Sequence, residues 1–130
     1  MDHSFGEEFW NRVFSEGPVS IFLWENITGE WPVVKVTSNI EKLTGWKDEE
    51  FLSGRRNYAD LIHEDDLARV ETEEDAWKNS GSAEGVNMNY RIVDSSGNVR
   101  HVSEFTQGIR NEAGEITHLV GYILESPTII

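Results

Sequence analysis

The chain has 130 residues, no cysteine and a formal net charge of −13 from 11 basic and 24 acidic residues. This length fits one domain with a modest core, and the absence of cysteine excludes disulfides, thiolate metal sites and cysteine nucleophiles. The negative charge would repel a phosphate backbone, so we expect no nucleic-acid binding. Apolar runs are short and the N-terminus lacks a signal-peptide pattern, which predicts a cytoplasmic protein without direct membrane insertion.

The first 17 residues predict an amphipathic helix, which Gly17 and Pro18 end. One apolar face of this helix contains five large side chains: Phe5, Phe9, Trp10, Val13 and Phe14. Such a face is wide enough to cover part of a sheet and also to contact a second subunit. We therefore expect residues 1–17 to serve as a lid or a dimer contact.

The next segment predicts a β-hairpin and several short helices. Strand-length runs "VSIFLWE" and "WPVVKVT" flank the turn "NITGE". In "SNIEKLTGW", Ser38 and Glu41 predict a capping box at the start of a short helix, and Gly45 predicts its end. A second short helix is predicted at "KDEEFLSG". A longer helix is expected from about Asp65 to Asn79.

The last third of the chain predicts three antiparallel strands. Apolar and polar residues alternate from "GVNMNYRIV" to "THLVGYILE", with turn signals at "DSSGN" and "NEAGE". The complete order is one helix, two strands, a cluster of helices and three strands. It predicts an α+β fold in which short helices lie over one face of a five-stranded antiparallel sheet.

Four segments, "SNIEKLTGW", "LIHEDDLARV", "YRIVDSSGNVRHV" and "LVGYILE", resemble in their order and spacing the PAS sensory-domain family. The resemblance covers residues 18–125. It implies a sensor module of signal-transduction proteins that forms a homodimer and encloses a pocket between sheet and helices. It further implies that residues 126–130 lead to a C-terminal output domain, such as a diguanylate cyclase or a histidine kinase of a two-component system.

The resemblance also implies which side chains line the pocket. Ten positions are expected there: Trp24, Ile40, Leu43, Met88, Tyr90, Ile92, Val102, Glu104, Thr106 and Ile123. Glu104 differs from the others because a carboxyl group in an apolar interior must be paired, protonated or hydrogen-bonded. The strand pattern leaves open whether this face or the face with Val99, His101 and Phe105 points inward. A filled core, with Glu104 hydrogen-bonded inside it, is the alternative to a ligand pocket.

No cofactor is expected. The polar residues that hold flavin in photosensory PAS proteins fall on Ile92, Val102 and Ile123, and no axial haem ligand is evident in the long helix. His63 is expected to be a surface or capping residue, and the acidic residues after it are expected to stabilise a helix N-terminus rather than bind metal. The sequence thus favours a non-catalytic sensor of an unidentified small molecule. The alternative is a small α+β enzyme that pairs Glu104 with His101 or His63 in an open cavity.

Overall fold

The computed structural model of the protein describes residues 6–126. The predictions for Phe5 and for residues 127–130 lie outside the described residues. In chain order the elements are helix α1 (Glu7–Ser15), strands β1 (Val19–Glu25) and β2 (Val33–Val36), helices α2 (Ile40–Thr44) and α3 (Asp48–Leu52), a 3-10 helix (Tyr58–Leu61), helix α4 (Glu64–Asn79), and strands β3 (Val86–Val93), β4 (Val99–Arg110) and β5 (Ile116–Glu125).

The five strands form one antiparallel sheet in the order β2-β1-β5-β4-β3. The last strand therefore lies at the centre of the sheet, between β1 and β4. The β1–β2 hairpin turns through Thr28 and Gly29, which both have positive φ values, as a type I′ turn requires. The predicted α+β fold with a five-stranded antiparallel sheet is confirmed.

The core lies between the inner face of the sheet and the short helices. The ring of Phe22 stacks on Trp24 with a centroid distance of 5.2 Å and also contacts the rings of Phe51 and Tyr58. Phe22 and Ile40 are completely buried. Burial of each such side chain stabilises the fold by roughly 1.5–3 kcal/mol relative to exposure, so packing against the sheet is what stabilises helices as short as α2.

Helix α2 ends as predicted but begins differently. Gly45 follows the helix in the left-handed conformation, with φ of 80°. The predicted capping box is wrong, because Asn39 occupies the N-cap position and no side chain caps the helix. The amide group of Asn39 instead donates to the carbonyl groups of Gly17 and Val19 at 2.9 and 2.8 Å.

Helix α4 begins one residue before its predicted start, and its first turn anchors it to the sheet. The Nδ1 atom of His63 accepts a hydrogen bond from the backbone N–H of Asp65, so the predicted capping role of His63 is confirmed. The carboxylate of Asp66 accepts three hydrogen bonds from Arg91, two from its guanidinium group and one from its backbone. These bonds hold the pKa of Asp66 well below its usual range and connect α4 with β3.

Candidate functional site

A cavity of about 440 Å³ lies between the inner face of the sheet and helix α4. Five lining residues come from the strands: Trp24, Val33, Met88, Glu104 and Leu119. The remaining lining side chains come from the turn region of the β1–β2 hairpin, from the 3-10 helix and its neighbours, and from α4. Its volume lies within the usual range for small-molecule sites.

Three of the ten predicted pocket residues, Trp24, Met88 and Glu104, line this cavity. The other seven are buried and do not line it: Ile40, Leu43, Tyr90, Ile92, Val102, Thr106 and Ile123. Six of the seven, all except Thr106, belong to one core cluster with the aromatic side chains of Phe22, Phe51 and Tyr58. Whether any of the ten contacts a ligand stays a prediction.

Glu104 faces the interior, so the structure selects one of the two orientations that the strand pattern left open. Its side chain is buried, with 7% of the residue exposed. One carboxyl oxygen, Oε1, accepts from the hydroxyl group of Tyr90 at 2.5 Å, and Oε2 accepts from the hydroxyl group of Thr106 at 2.6 Å. The hydroxyl oxygen atoms of Tyr90 and Tyr58 are 2.9 Å apart. Glu104 is therefore one end of a buried network that reaches the 3-10 helix.

Burial raises the pKa of Glu104 above its usual value, although the hydrogen bonds from Thr106 and Tyr90 oppose this change. The charge of Glu74 on α4 raises this pKa further. Burial likewise raises the pKa values of Tyr58 and Tyr90. The network thus retains its protons to a higher pH than the same groups would on the surface.

Gly121 on β5 makes room for this arrangement. A Cβ atom at Gly121 would lie 2.8 Å from the ring of Trp24 and 3.0 Å from Oε2 of Glu104, which is too close for both. The alternation of β5 places Gly121 on the inner face. The ring that covers it comes from β1, about 100 positions earlier in the chain, so local sequence patterns gave no signal for this contact.

Acidic side chains predominate around the cavity. Its lining includes four carboxyl groups, from Glu30, Asp60, Glu74 and Glu104, and one ammonium group, from Lys78. The Nζ atom of Lys78 lies 3.6 Å from Oε1 of Glu74 and 5.1 Å from the ring centroid of Trp31. Within residues 6–126, no three His, Asp or Glu side chains are arranged to hold a metal ion.

The two histidines that were considered as partners of Glu104 lie elsewhere. His101 is exposed, and the alternation of β4 directs it to the face opposite Glu104. His63 caps α4 through its Nδ1 atom. The fold does not bring either histidine together with Glu104, so the acid/histidine pair of the enzyme hypothesis is not formed.

A second depression, an apolar groove of about 970 Å³, lies between α1 and the outer face of the sheet. Side chains from α1, α3 and strands β1, β2, β4 and β5 line it. No residue of α1 is buried. The four predicted contact residues that the structure describes are each 44–47% exposed: Phe9, Trp10, Val13 and Phe14.

The architecture, with an antiparallel sheet, helices over its inner face and a cavity between them, defines an α+β domain of the sensory type. The family model described as PAS fold matches residues 33–123. The chain belongs to this family, which confirms the predicted resemblance. In the part of the chain that the structure describes, no helix is long and apolar enough to cross a membrane.

The chain is 42% identical over 114 residues to the methyl sulfide methyltransferase-associated sensor of Methanosarcina acetivorans. The alignment covers 88% of this chain and 11% of that protein, so the chain spans about a tenth of the curated relative it matches. Among solved structures, it resembles the N-terminal domain of a diguanylate cyclase with PAS/PAC sensor from Marinobacter aquaeolei, with a TM-score of 0.70, 17% identity and coverage of 82% of this chain and 94% of that one. It also resembles a sensory box histidine kinase/response regulator from Burkholderia thailandensis, with a TM-score of 0.63, 26% identity and coverage of 92% and 84%.

Proposed function

We propose that this PAS domain is a non-catalytic sensor that binds a small molecule in the cavity beside Trp24 and transmits its occupancy to an output domain. The observation that carries the proposal is the cavity itself, which ends at a buried network of ionisable groups, Glu104 with Tyr90 and Tyr58. A ligand that contacts Glu104 would change the hydrogen bonds of this network. The name of the Methanosarcina relative, a sensor, agrees with this role.

Strand β5 offers a direct route from the cavity to the C-terminal end of the domain. Its residue Leu119 lines the cavity, and Gly121 lies against Trp24. At the end of the same strand, Glu125 lies 3.5 Å from Arg100, whose guanidinium group also donates to the carbonyl group of Lys42 at 3.0 Å. A displacement of β5 would therefore change the contacts of Arg100 with Glu125, at the end of β5, and with Lys42 of α2.

We also propose that the sensory domain is connected to a C-terminal output domain. The two solved relatives come from a diguanylate cyclase and from a histidine kinase/response regulator, and the curated relative is about nine times longer than the matched region. We propose that residues 18–125 form the sensory unit, that 126–130 lead toward such an output domain, and that the protein acts in the cytoplasm.

We further propose that the protein is a homodimer joined through α1. The helix presents Val13 and Phe14 with 46% of each residue exposed, and an apolar groove lies beside it on the same chain. A helix and a groove on one surface can meet their counterparts across a two-fold axis, so a second copy is the partner that both fit.

Ligand screening by NMR tests the cavity. We expect at least one class of small molecule, neutral, anionic or cationic, to shift the indole N–H resonance of Trp24, assigned from the Trp24→Phe variant. Ala59→Trp places a ring at the cavity lining and should abolish the shift, whereas Ala68→Trp on the exposed side of α4 should not. Absence of any shift with all three classes, or equal binding by both tryptophan variants, would contradict the proposed function.

A further inference from the structure

The charges around the cavity discriminate between classes of ligand. Four carboxyl groups line it, and the single lysine already interacts with Glu74. A phosphate or carboxylate ligand would meet repulsion from Glu30, Asp60 and Glu74, and no arginine side chain lines the cavity to offset it. The electrostatic environment therefore disfavours anions and favours cations.

The remaining lining residues indicate which kind of cation fits. The aromatic side chains of Trp24, Trp31 and Tyr58 line the cavity together with aliphatic side chains. Hard metal ions require several oxygen ligands in one shell, which the described residues do not provide. Aromatic rings next to carboxylates are instead the surroundings that bind alkylammonium groups, whose charge is spread over weakly hydrated methyl or methylene groups.

Lys78 provides an independent observation in favour of a cation. Its ammonium group lies over the ring of Trp31, at 5.1 Å from the centroid, and 3.6 Å from the carboxylate of Glu74. One side of the cavity therefore already holds an organic ammonium group, supplied by the chain itself. A ligand with the same chemistry would compete with Lys78 for Trp31 and Glu74.

Building on the proposed function, we infer that the cavity binds a small organic cation of the alkylammonium class. Its charged group would lie against Trp31 and Glu74, in place of the ammonium group of Lys78. The part of the ligand that enters most deeply would approach Trp24 and Glu104. The inference thus names the chemistry of the ligand and the residues that select it.

Choline and its uncharged isostere 3,3-dimethylbutan-1-ol provide the direct test, because the two molecules differ only in the charged nitrogen. Titration calorimetry at fixed ionic strength measures both affinities, and the Trp24 indole resonance reports where each molecule binds. We expect choline to bind at least fivefold more tightly than the alcohol, the order of effect that a cation–π contact gives.

Two variants on α4 sharpen the test. Glu74→Gln should weaken choline binding by about fivefold, whereas Lys78→Gln should tighten it because the competing ammonium group is removed. Glu71→Gln is the matched control, since this exposed residue of the same helix changes the net charge equally but does not line the cavity. An equal loss in Glu71→Gln and Glu74→Gln would indicate only attraction by the overall charge of the protein and would overturn the inference.

The outcomes separate this inference from the proposed function. Equal affinity for choline and the alcohol, or loss of choline binding in Lys78→Gln, would overturn the cation inference but would leave a ligand-binding cavity. If choline does not bind while a neutral or anionic compound shifts the Trp24 resonance, the inference also fails and the proposed function stands. Both fail if no compound of any class shifts it.

Discussion

Glu104 has an ionisable side chain at a buried, inward-facing position of β4, where an apolar side chain would normally be expected. A carboxyl group in the core is costly unless its oxygen atoms are hydrogen-bonded, and here the hydroxyl groups of Tyr90 and Thr106 supply one bond to each oxygen. Burial nevertheless raises its pKa, and the charge of Glu74 contributes in the same direction. The two hydrogen bonds thus stabilise the buried carboxyl group, and its protonation depends on burial and on the charge of Glu74.

We expect Glu104→Gln to change how stability depends on pH. The ordinary pKa is 4.5 and the folded-state pKa is raised above it, so the folded protein binds this proton more tightly than the unfolded chain. This contribution is complete below pH 4.5 and is lost as the pH rises through the folded-state pKa. The free energy of unfolding of Glu104→Gln, minus that of the parent, should therefore be larger at pH 8 than at pH 4.

Urea unfolding at both pH values measures this difference. Glu71→Gln, at an exposed position of α4, is the control for the loss of one carboxyl group. The groups that face Glu104 are Tyr58, Tyr90 and Thr106, with Glu74 acting at longer range. A Glu104→Gln difference that does not change with pH would contradict the argument.

At the scale of elements, the short helices depend on contacts with the sheet. Helix α2 has five residues, fewer than an isolated helix needs for stability in water. Its C-terminal end is held against the β3–β4 hairpin, because the backbone N–H of Ser95 donates to the carbonyl group of Thr44 at 2.8 Å. Its N-terminal end is joined to α1 through Asn39, which also donates to the carbonyl group of Phe14 at 3.2 Å. The helix is therefore a link between the N-terminal helix and the sheet.

Two glycines allow the contact at Ser95 to be measured. Gly45 and Gly54 follow short helices with φ values of 80° and 78°, so alanine is strained at both positions, by about 1–2 kcal/mol. A Cβ atom at Gly54 would meet open space, whereas one at Gly45 would lie 1.9 Å from Oγ of Ser95. We expect Gly45→Ala to cost about 1–3 kcal/mol more than Gly54→Ala.

Thermal unfolding of both variants gives this comparison. Ser95→Gly removes the Oγ and Cβ atoms that crowd Gly45, so the double variant Gly45→Ala/Ser95→Gly should recover most of the extra cost. Equal melting temperatures for Gly45→Ala and Gly54→Ala would mean that α2 moves away from the hairpin without loss of stability.

At the scale of the whole molecule, the outer face of the sheet determines the proposed assembly. Both faces of β5 are apolar, and on the outer face Val120 is buried whereas Leu124 is 42% exposed. An apolar groove between this face and α1 continues the exposed stripe of the helix. A second copy of the chain would cover surface that the single chain leaves partly open to water.

We expect Val13→Asp to convert a dimer into a monomer, because it places a charge within the proposed apolar contact. Light scattering at tens of micromolar should give twice the monomer mass for the parent and the monomer mass for the variant. Ile27→Asp is the matched control, since Ile27 is 48% exposed in the β1–β2 turn and does not line the groove beside α1. A monomeric parent protein, or a dimeric Val13→Asp variant, would contradict the proposed dimer.

We also expect the purified protein to be colourless. Ile92 and Ile123, onto which the resemblance places polar flavin-binding residues of photosensory PAS proteins, are completely buried among apolar side chains. They cannot donate hydrogen bonds to a flavin ring. An absorbance spectrum recorded beside a native mass spectrum checks this expectation, and stoichiometric absorbance in the flavin or Soret region would contradict it.

The sequence alone determined the elements, because their signals are local. The alternation of β3 and β4 predicted two strands, the family resemblance placed Met88, Tyr90 and Thr106 on the inner face, where the structure has them buried, and Gly45 correctly ended α2. The capping box failed because Asn39 satisfies carbonyl groups of Gly17 and Val19, some 20 positions away, instead of capping its own helix. A local signature cannot show such a competing partner.

The tertiary structure decided which residues form the cavity. The pairing of β1 with β5 brings Trp24 over Gly121, and the path of the chain after α3 brings Tyr58 to Tyr90. These contacts join segments 30 to 100 positions apart and depend on how side-chain volumes fill the space between sheet and helices. Sequence patterns indicate which residues of a strand share a face. Only packing determines whether a buried residue meets another side chain or a cavity.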